Sequence, residues 1–397
     1  MLIKREKIRY YEDNPNKGII VDWKKVFNYY KQLNCPNTVY NPCKIPFENA
    51  KYNVLLSERS TGKTTNVLLI GMILYFMYGI VLQYIRSNED MIERQTLNEL
   101  FKTILEFGYI EKMTDGEFNN LYYYGKKWTL CHMDEQYKID KKDSQHFMYC
   151  LSTDRNERYK SSYNAPTGDF IIYDEFISKR IRANEFVDFC DLLKTIIRDR
   201  ISPVVVLLAN TIDKHHPYFN EFEIYDDVQT MQVGTSDIFT TEKGTKIYVE
   251  LIKDSKEVKT KKKFNSLFFG FKNSKISSIT GDGWAIDTYP HIMPDYKSVM
   301  HGIYIEYNNR LLELEVIQYE HLGIMLGVHR ASKTYDDSII YTNDALKDHR
   351  YIYHLGDPSF RLVDRFIDRM IRENRILYQD NSCGTMFWNH VNMRGRK

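Results

Sequence analysis

The amino-acid sequence predicts an α/β protein with a mostly parallel sheet, and three observations support this prediction. A short apolar segment at 52–56 precedes a loop of small polar residues and a long apolar segment at 64–78. Two further apolar segments, at 170–173 and 204–209, each end in polar residues. Apolar strands alternate with helical segments up to about residue 212, which is the pattern of parallel strands joined by helices.

The most apolar part of the chain is predicted to be buried inside the protein. The 19 residues 67–85 contain no charged side chain, which is long enough for a membrane-spanning helix. Gly79 divides this run, and central helices and strands of parallel sheets are apolar nearly all round. We therefore interpret it as a buried helix at 64–78 followed by a buried strand at 80–86.

Other elements of the first half are predicted from local patterns. The first 50 residues contain four prolines, which interrupt long elements, and a segment with helical periodicity at 22–33. The segment 93–107 is predicted to form an amphipathic helix. The tyrosine-rich segment 121–131 is predicted to form a β-hairpin that turns at Gly125, and 147–151 a further strand.

The pattern changes after the last apolar strand. Residues 215–234 are polar and aromatic without long periodicity, and the following residues form short strand patterns until helical character returns at 358–373. We therefore expect a first domain at 1–212, a linker or lever at 213–235, and a smaller α+β domain at 236–397.

The loop after the first strand has the pattern of a phosphate-binding loop. Gly62, Lys63 and Thr64 match the signature GxxxxGK[ST], in which loop amides and the lysine bind phosphates and the hydroxyl binds Mg²⁺. Ser57 replaces the first glycine, and a chance GKT in an ordinary loop is the alternative. The strand before the loop and the helix after it favour the phosphate site. We expect nucleotide contacts from Ser57, Glu58, Arg59, Ser60, Thr61, Gly62, Lys63, Thr64 and Thr65.

Two adjacent carboxylates follow the apolar strand at 170–173. Open α/β sheets bind ligands at the carboxyl ends of their strands, so we expect Asp174 to hold Mg²⁺ together with Thr64. We expect Glu175 to act as the general base toward the attacking water. A solvated strand end is the alternative. About 110 residues with at least one extra strand separate the loop from this pair, which predicts an additional-strand P-loop ATPase.

Three basic residues and an asparagine complete the candidate catalytic set. Asn210 follows a buried strand and is expected to contact both the γ-phosphate and the attacking water, with a plain strand cap as the alternative. Arg198 and Arg200 are expected near the end of a helix, where one would reach a neighbouring subunit's nucleotide unless both form surface salt bridges. Lys160 is a further candidate for action across a subunit boundary.

A guanine-specific site is a rival interpretation of the same strand end. Residues 210–213 read NTID and half-match the guanine-binding signal NKxD. The lysine of that signal is missing, and the adjacent acid pair is wrong for a GTPase, so we reject this interpretation.

Composition and cysteine content limit the class of protein. The chain has 55 basic and 53 acidic residues, which argues against a passive nucleic-acid coat and allows a narrow phosphate-contacting surface. Its six cysteines form no CxxC pair, which fits a reducing cytoplasm. The first 15 residues are charged and lack an apolar core, so they do not resemble a secretory signal.

The order of these motifs resembles the DNA-encapsidation ATPases of small short-tailed phages with linear, protein-primed genomes, which are terminase-like motors. Roughly residues 50–225 match in order. The matching segments are the loop with Arg59 four residues before Lys63, the hairpin at 121–131, Lys160-Ser161, IIYDEFI at 171–177, IRDR at 197–200, LLANTI at 207–212 and HPYFN at 216–220.

The resemblance implies a homopentameric ring at the portal vertex of a procapsid in the host cytoplasm. Such a ring uses ATP and Mg²⁺ to drive double-stranded DNA inward, and it has no membrane partner. Arg59 would contact phosphates or link the loop to neighbouring elements. Lys160 and one of Arg198 or Arg200 would act on the adjacent subunit's nucleotide. The resemblance leaves open whether a structural RNA is a further partner.

The resemblance also implies a C-terminal domain like an RNase H-type nuclease that has lost its catalysis. Beyond residue 235 we find no acid triad, because Asp282, Asp287, Asp357 and Asp364 are scattered and are expected to be turn or cap residues. We therefore predict no nuclease activity and a domain that contacts DNA or the portal.

One basic segment of that domain is a candidate for contact with DNA. It would follow a phosphate backbone without reading sequence, or it is a solvated hairpin tip. The lysines of this segment are Lys259, Lys261, Lys262 and Lys263.

The leading hypothesis is therefore an ATP-driven DNA translocase that packages a viral genome. A helicase-like ATPase is the first alternative, and it would unwind nucleic acid without a capsid. A non-enzymatic ring scaffold held together by nucleotide is the second, and it would not hydrolyse ATP.

Overall fold

The computed structural model describes residues 2–36, 38–57, 61–97, 99–163, 167–177, 182, 184–210, 214–253, 288–342, 351–352 and 361–393. These residues fall into two compact units. The first contains the described residues up to 177, 185–210 and 222–253. The second contains 182, 184, 214–221 and the described residues from 288 onward.

A nine-stranded sheet forms the centre of the first unit. Its strands are β1 (Tyr52–Leu56), β2 (Leu82–Arg86), β3 (Asn120–Tyr124), β4 (Lys127–Met133), β5 (Ile139–Ser152), β6 (Phe170–Asp174), β7 (Val204–Ala209), β8 (Ser236–Thr240) and β9 (Lys246–Leu251). Their order is β3-β4-β5-β2-β6-β7-β1-β9-β8. The pairings from β5 to β9 are parallel, whereas β3, β4 and β8 pair antiparallel at the two edges. The prediction of a mostly parallel sheet is confirmed.

Most helices of this unit connect its strands. They are α1 (Trp23–Gln32), α2 (Lys63–Tyr78), α3 (Arg94–Leu97), α4 (Lys102–Glu106), α5 (Tyr109–Thr114), α6 (Asn156–Ser162), α7 (Glu185–Ile197) and α9 (Tyr225–Thr230), while α8 (Pro217–Glu221) belongs to the second unit. The predicted helix at 22–33 corresponds to α1, which begins after Asp22, whose carboxylate accepts a hydrogen bond from the Lys25 amide at 3.1 Å.

The apolar run 67–85 forms a buried helix and then a buried strand, as predicted. Gly62 and Gly79 bound α2 with φ of 74° and 70°, a left-handed backbone that glycine adopts readily. Gly71 lets α2 lie close to β2, because a Cβ atom there would lie 2.4 Å from a Leu82 methyl carbon. Among the described helices, none is both long and apolar enough to cross a bilayer.

The first sheet extends beyond the boundary expected at residue 212. We expected residues from 236 to belong to the C-terminal domain, but β9 pairs in parallel with β1, with Tyr52 opposite Ile247. Ile247, Val249 and Leu251 are fully buried there. This pairing joins segments almost 200 residues apart, so local sequence patterns do not reveal it.

The amphipathic helix expected at 93–107 is instead two short helices, α3 and α4. Phe101 lies between them and is buried. Its ring packs 4.8 Å from that of Trp128 and 5.7 Å from that of Phe147, measured between centroids. The interruption therefore places this aromatic side chain against the sheet. The strand expected at 147–151 is also longer, since β5 begins at Ile139.

The second unit has its own sheet and helices. These elements are β10 (Lys297–Met300), β11 (Ile303–Tyr307), β12 (Arg310–Tyr319), β13 (Gly323–Ala331), β14 (Ile339–Tyr341), β15 (Tyr351–Ile352), β16 (Ile376–Tyr378), α10 (Arg361–Arg372) and α11 (Asn381–Asn392). The strand order is β15-β14-β11-β12-β13-β16, and β10 pairs with β12. The strands β11, β12 and β13 are antiparallel, and β14, β15 and β16 pair in parallel with their neighbours.

The two faces of the second sheet differ in chemistry. One face buries Leu312 and Leu314 in a core shared with side chains of α10 and α11, such as Ile367 and Phe387. The opposite face carries glutamates that pair with histidines. Glu315 Oε2 lies 2.9 Å from His329 Nε2, so this buried carboxylate is partnered within the sheet.

Replacement of Gly71 by alanine should destabilise the first unit, because the new methyl group would overlap Leu82. We expect a loss of about 1–3 kcal/mol in the free energy of unfolding, measured by urea denaturation. A double variant that also carries Leu82→Ala should lose less than the sum of the single changes, since the overlap disappears. Additive losses in this cycle would contradict the close packing of α2 on β2.

Candidate functional site

The phosphate-binding loop lies between β1 and α2 at the carboxyl edge of the sheet. Lys63 is almost fully buried, and its Nζ donates hydrogen bonds to Ser57 Oγ and, at 3.0 Å, to Asn210 Oδ1. Ser57 Oγ also lies 3.0 Å from Thr61 Oγ1. The serine that replaces the first glycine of the signature therefore helps to position the lysine. Glu58, Arg59 and Ser60 lie outside the described residues.

Asp174 ends β6, and its carboxylate contacts side chains of α2 and β2. Thr64 Oγ1 lies 3.4 Å from each of its carboxylate oxygens. The Tyr84 hydroxyl donates to Asp174 Oδ2 at 2.8 Å. Burial raises the pKa of Tyr84 well above its usual range, so this phenol remains a donor. The carboxylate is thus buried with its oxygens turned toward the first residues of α2.

Glu175 follows with a backbone conformation that is unusual for its residue type. Its φ is 54°, a left-handed conformation that costs a non-glycine residue about 1 kcal/mol. The Glu175 side chain is about 40% exposed, and Asn210 Nδ2 donates to its Oε1 at 3.3 Å. The turn directs this carboxylate toward Asn210 and solvent, where a general base would meet water.

Asn210 connects the two motifs that the sequence predicts separately. Its Oδ1 accepts from Lys63 and its Nδ2 donates to Glu175, so one amide joins the phosphate-binding lysine to the candidate base. A simple strand cap would bond only to nearby backbone. The Asn210 amide instead bonds to two side chains from other elements of the site.

Arg86 is a member of the site that the sequence analysis missed. It ends β2, the strand beside β6, and its guanidinium is largely buried. Its Nη1 lies 3.2 Å from Asp174 Oδ2 and its Nη2 lies 2.8 Å from Glu175 Oε2. The sequence does show an arginine at the end of a buried apolar strand, which is a signal for a site residue. That signal points to Asp174 and Glu175 only once β2 is known to pair with β6.

A cavity of about 480 Å³ adjoins the loop on the side of α4 and α5. Phe107 is half-exposed there, and its ring lies nearly parallel to that of Tyr109, with centroids 5.7 Å apart. Flat aromatic walls beside a phosphate-binding loop suit the nucleoside part of a nucleotide. The lining residues are Cys35, Pro36, Thr38, Val39, Thr61, Gly62, Lys63, Thr64, Thr65, Asn66, Thr103, Phe107, Tyr109 and Asn210.

The two candidate arginines after α7 occupy different environments. Arg200 Nε lies 2.6 Å from Asp169 Oδ1, and both side chains are at least nine-tenths buried. This ion pair holds the Arg200 guanidinium within the first unit. Arg198 is exposed, and its Nη2 donates to the Tyr163 carbonyl oxygen at 3.2 Å. Arg198 is thus the more exposed of the two side chains.

Lys160 lies on α6 with its side chain partly exposed. Its Nζ is 2.8 Å from Asp191 Oδ2 and 2.7 Å from Glu157 Oε1, and these hydrogen bonds raise the pKa of the lysine. It thus stays charged at neutral pH. The lysines at 259 and 261–263 lie outside the described residues.

Two solved structures resemble this chain along almost its whole length. The Phi-28 gp11 DNA packaging motor shares 16% identity at a TM-score of 0.54, with 91% of this chain and 99% of that chain covered. The bacteriophage Phi-29 viral genome packaging motor assembly shares 17% identity at a TM-score of 0.54, with 90% and 100% covered. No protein-family model and no curated protein matches the sequence. The chain has the fold of these packaging motors, which confirms the resemblance at the level of the fold.

Replacement of Arg86 by glutamine should destabilise the first unit, because it removes the cation that contacts both carboxylates. We expect a loss of about 2–4 kcal/mol in the free energy of unfolding, measured by urea denaturation. Arg155→Gln is the matched control, since that arginine is half-exposed and is one of three cations around Glu89, so its loss should cost less than about 1 kcal/mol. Equal losses in the two variants would contradict the placement of Arg86.

Replacement of Phe107 by alanine should weaken nucleotide binding while leaving the phosphate contacts intact. We expect the dissociation constant for ATP, measured by calorimetry, to rise about 2- to 12-fold, as loss of one aromatic contact predicts. Tyr137→Ala, at an exposed position on the β4–β5 turn, is the control. Unchanged affinity in the Phe107 variant would show that the nucleoside binds elsewhere.

Proposed function

We propose that this protein is an ATP-driven translocase that packages double-stranded phage DNA into a procapsid through its portal. The observation that carries the proposal is the set of contacts from Lys63 through Asn210 to Glu175 at the carboxyl edge of a parallel sheet. The similarity in fold to two packaging motors is independent support.

The residues around α2 fit a nucleotide with Mg²⁺. The Thr64 hydroxyl and the Asp174 carboxylate are hard oxygen ligands of the kind that Mg²⁺ prefers, and they face each other at 3.4 Å. Bound Mg²⁺ would neutralise negative charge on the phosphates. Lys63 and the amides of the loop would bind the phosphates themselves, with the N-terminus of α2 adding positive potential.

Hydrolysis would depend on the position of the Glu175 carboxylate. Glu175 would accept a proton from the attacking water, as a general base. Arg86 and Asn210 contact opposite oxygens of this carboxylate and so fix its orientation. Asn210 also binds Lys63. Loss of the terminal phosphate would therefore change the contacts of Lys63 and, through Asn210, the position of Glu175.

The active form would be a homopentameric ring in the host cytoplasm. Arg198 and Lys160 are exposed on the first unit, and each would stabilise charge on the nucleotide of the adjacent subunit. Isolated subunits would then hydrolyse ATP slowly until they assemble at the portal.

The second unit would contact DNA or the portal and would not cut DNA. Its strands β13-β12-β11-β14-β15, three antiparallel and two added in parallel, support a nuclease-like ancestry of the RNase H type. Asp364, which was expected to be a turn or cap residue, lies instead within α10, where its buried carboxylate accepts a hydrogen bond from the Tyr341 hydroxyl at 2.9 Å. Asp282, Asp287 and Asp357 lie outside the described residues.

The Glu175→Gln variant should bind ATP about as well as the native protein but hydrolyse it about 10²–10⁴-fold more slowly, because the amide cannot accept the proton. Steady-state phosphate release and calorimetric ATP binding would measure the two effects. Glu99→Gln, at an exposed surface pair with Lys102, is the matched control. Normal turnover in the Glu175 variant would refute its role as base.

The packaging function itself is tested with purified protein, empty proheads, linear DNA and ATP. We expect nuclease-protected DNA to accumulate with the native protein and not with the Glu175→Gln variant. DNA unwinding without proheads, in the absence of protected DNA, would instead establish the helicase-like alternative. Protected DNA without ATP hydrolysis would overturn the proposed use of energy.

A further inference from the structure

The strands β3, β4 and β5 combine tyrosines with lysines on one face, which is partly exposed to solvent. Tyr122 lies opposite Thr129, and Tyr124 lies opposite Lys127, so these side chains share a face. Lys127 in turn lies opposite Tyr149 on β5. Tyr124 is 74% exposed. The alternate residues, such as Trp128, turn to the other face and join the core.

The lysines of this face contact aromatic rings instead of carboxylates. Lys142 Nζ lies 3.7 Å from the centroid of the Tyr122 ring, and Lys127 Nζ lies 4.9 Å from that of Tyr149. Across the described residues, neither lysine forms an ion pair. Neighbouring Lys126 and Lys141, by contrast, pair with Glu89 and Glu117. Lys127 and Lys142 are therefore not held by ion pairs with described carboxylates and can contact a phosphate.

The carboxylates near this face are directed elsewhere. Asp143 follows Lys142 in the sequence, but its Oδ2 accepts from the hydroxyl of Tyr75, a residue of α2 on the core side. Asp140 contacts His132 at 2.8 Å. Burial, with a smaller effect of Lys127, lowers the pKa of His146, so that ring is neutral at neutral pH. Asp143 also acts on His146, and it raises the pKa of that ring by less than burial lowers it.

The aromatic rings are arranged as neighbouring flat surfaces. The rings of Tyr122 and Tyr124 are inclined by only 15°, with centroids 6.4 Å apart. Proteins that bind single strands combine lysines that follow the backbone with aromatic rings on which successive bases stack. In a double helix the faces of the bases are stacked on one another, so aromatic side chains cannot stack on them without unpairing the duplex.

We propose that this tyrosine–lysine face, formed by Tyr122, Tyr124, Lys127, Lys142 and Tyr149, binds an unpaired stretch of a DNA strand. Bases would stack on Tyr122 and Tyr124, and phosphates would contact Lys127 and Lys142. The choice of DNA rests on the proposed function, which brings DNA to this protein. With two free cations the binding is sequence-independent and sensitive to salt. The face lies on the hairpin edge of the sheet and uses none of the nucleotide-site residues.

The test is fluorescence anisotropy of a labelled oligothymidylate titrated with the full-length protein without ATP. Tyr122→Ala and Tyr124→Ala should each weaken binding about 5- to 100-fold, as loss of one stacked base predicts. Lys127→Gln and Lys142→Gln should each reduce the slope of log affinity against log salt by about 0.7. Tyr124→Phe should retain binding, because the ring remains.

Matched controls come from β5 and from the turn between β4 and β5. Lys141→Gln and Tyr137→Ala change the same residue types outside the face and should bind as the native protein does. An unchanged midpoint of urea denaturation shows that each variant is folded. Equal affinity of the native protein and the Tyr122 and Tyr124 alanine variants would overturn the proposal, as would preference for duplex DNA or for RNA of the same length. Because no ATP or prohead is present, failure of packaging leaves this result unaffected.

Discussion

The candidate site depends on one constraint: polar side chains buried at the ends of four adjacent parallel strands must satisfy one another. An ammonium group as buried as that of Lys63 is costly unless it is hydrogen-bonded. Ser57 and Asn210 supply those bonds, and Asn210 also donates a hydrogen bond to Glu175. Arg86 completes the arrangement by compensating the carboxylates. Each of these polar groups is held by a hydrogen bond or an ion pair with another, so the contacts within the site fix the positions of its side chains.

Much of this arrangement could be predicted from the sequence because it rests on local patterns. The strands before Ser57 and Asn210 are short apolar runs with polar ends, and the helix that begins at Lys63 is continuously apolar from Val67. Once these strands are taken as parallel, their polar ends must meet at one edge. The bounds of β1 and β7 and the turn of the hairpin at Gly125 follow from such short-range signals.

The parts that could not be predicted depend on contacts between distant segments. The place of β9 beside β1, and the place of β2 beside β6, are choices among many possible pairings that no local pattern distinguishes. The role of Arg86 follows only from the second pairing. Likewise, the interruption at Phe101 reflects the need to bury one ring against Trp128 and Phe147, which is a tertiary effect that overrides helical periodicity.

The position of β9 has a practical consequence for the isolation of the first unit as a separate fragment. A fragment that ends at residue 212 would lack β9, so β1 would become an edge strand of the sheet. The backbone amides and carbonyls along that edge could then pair with other chains. Such a fragment would therefore be prone to associate with copies of itself. A fragment that retains the chain through Leu251 would keep both flanks of β1 covered.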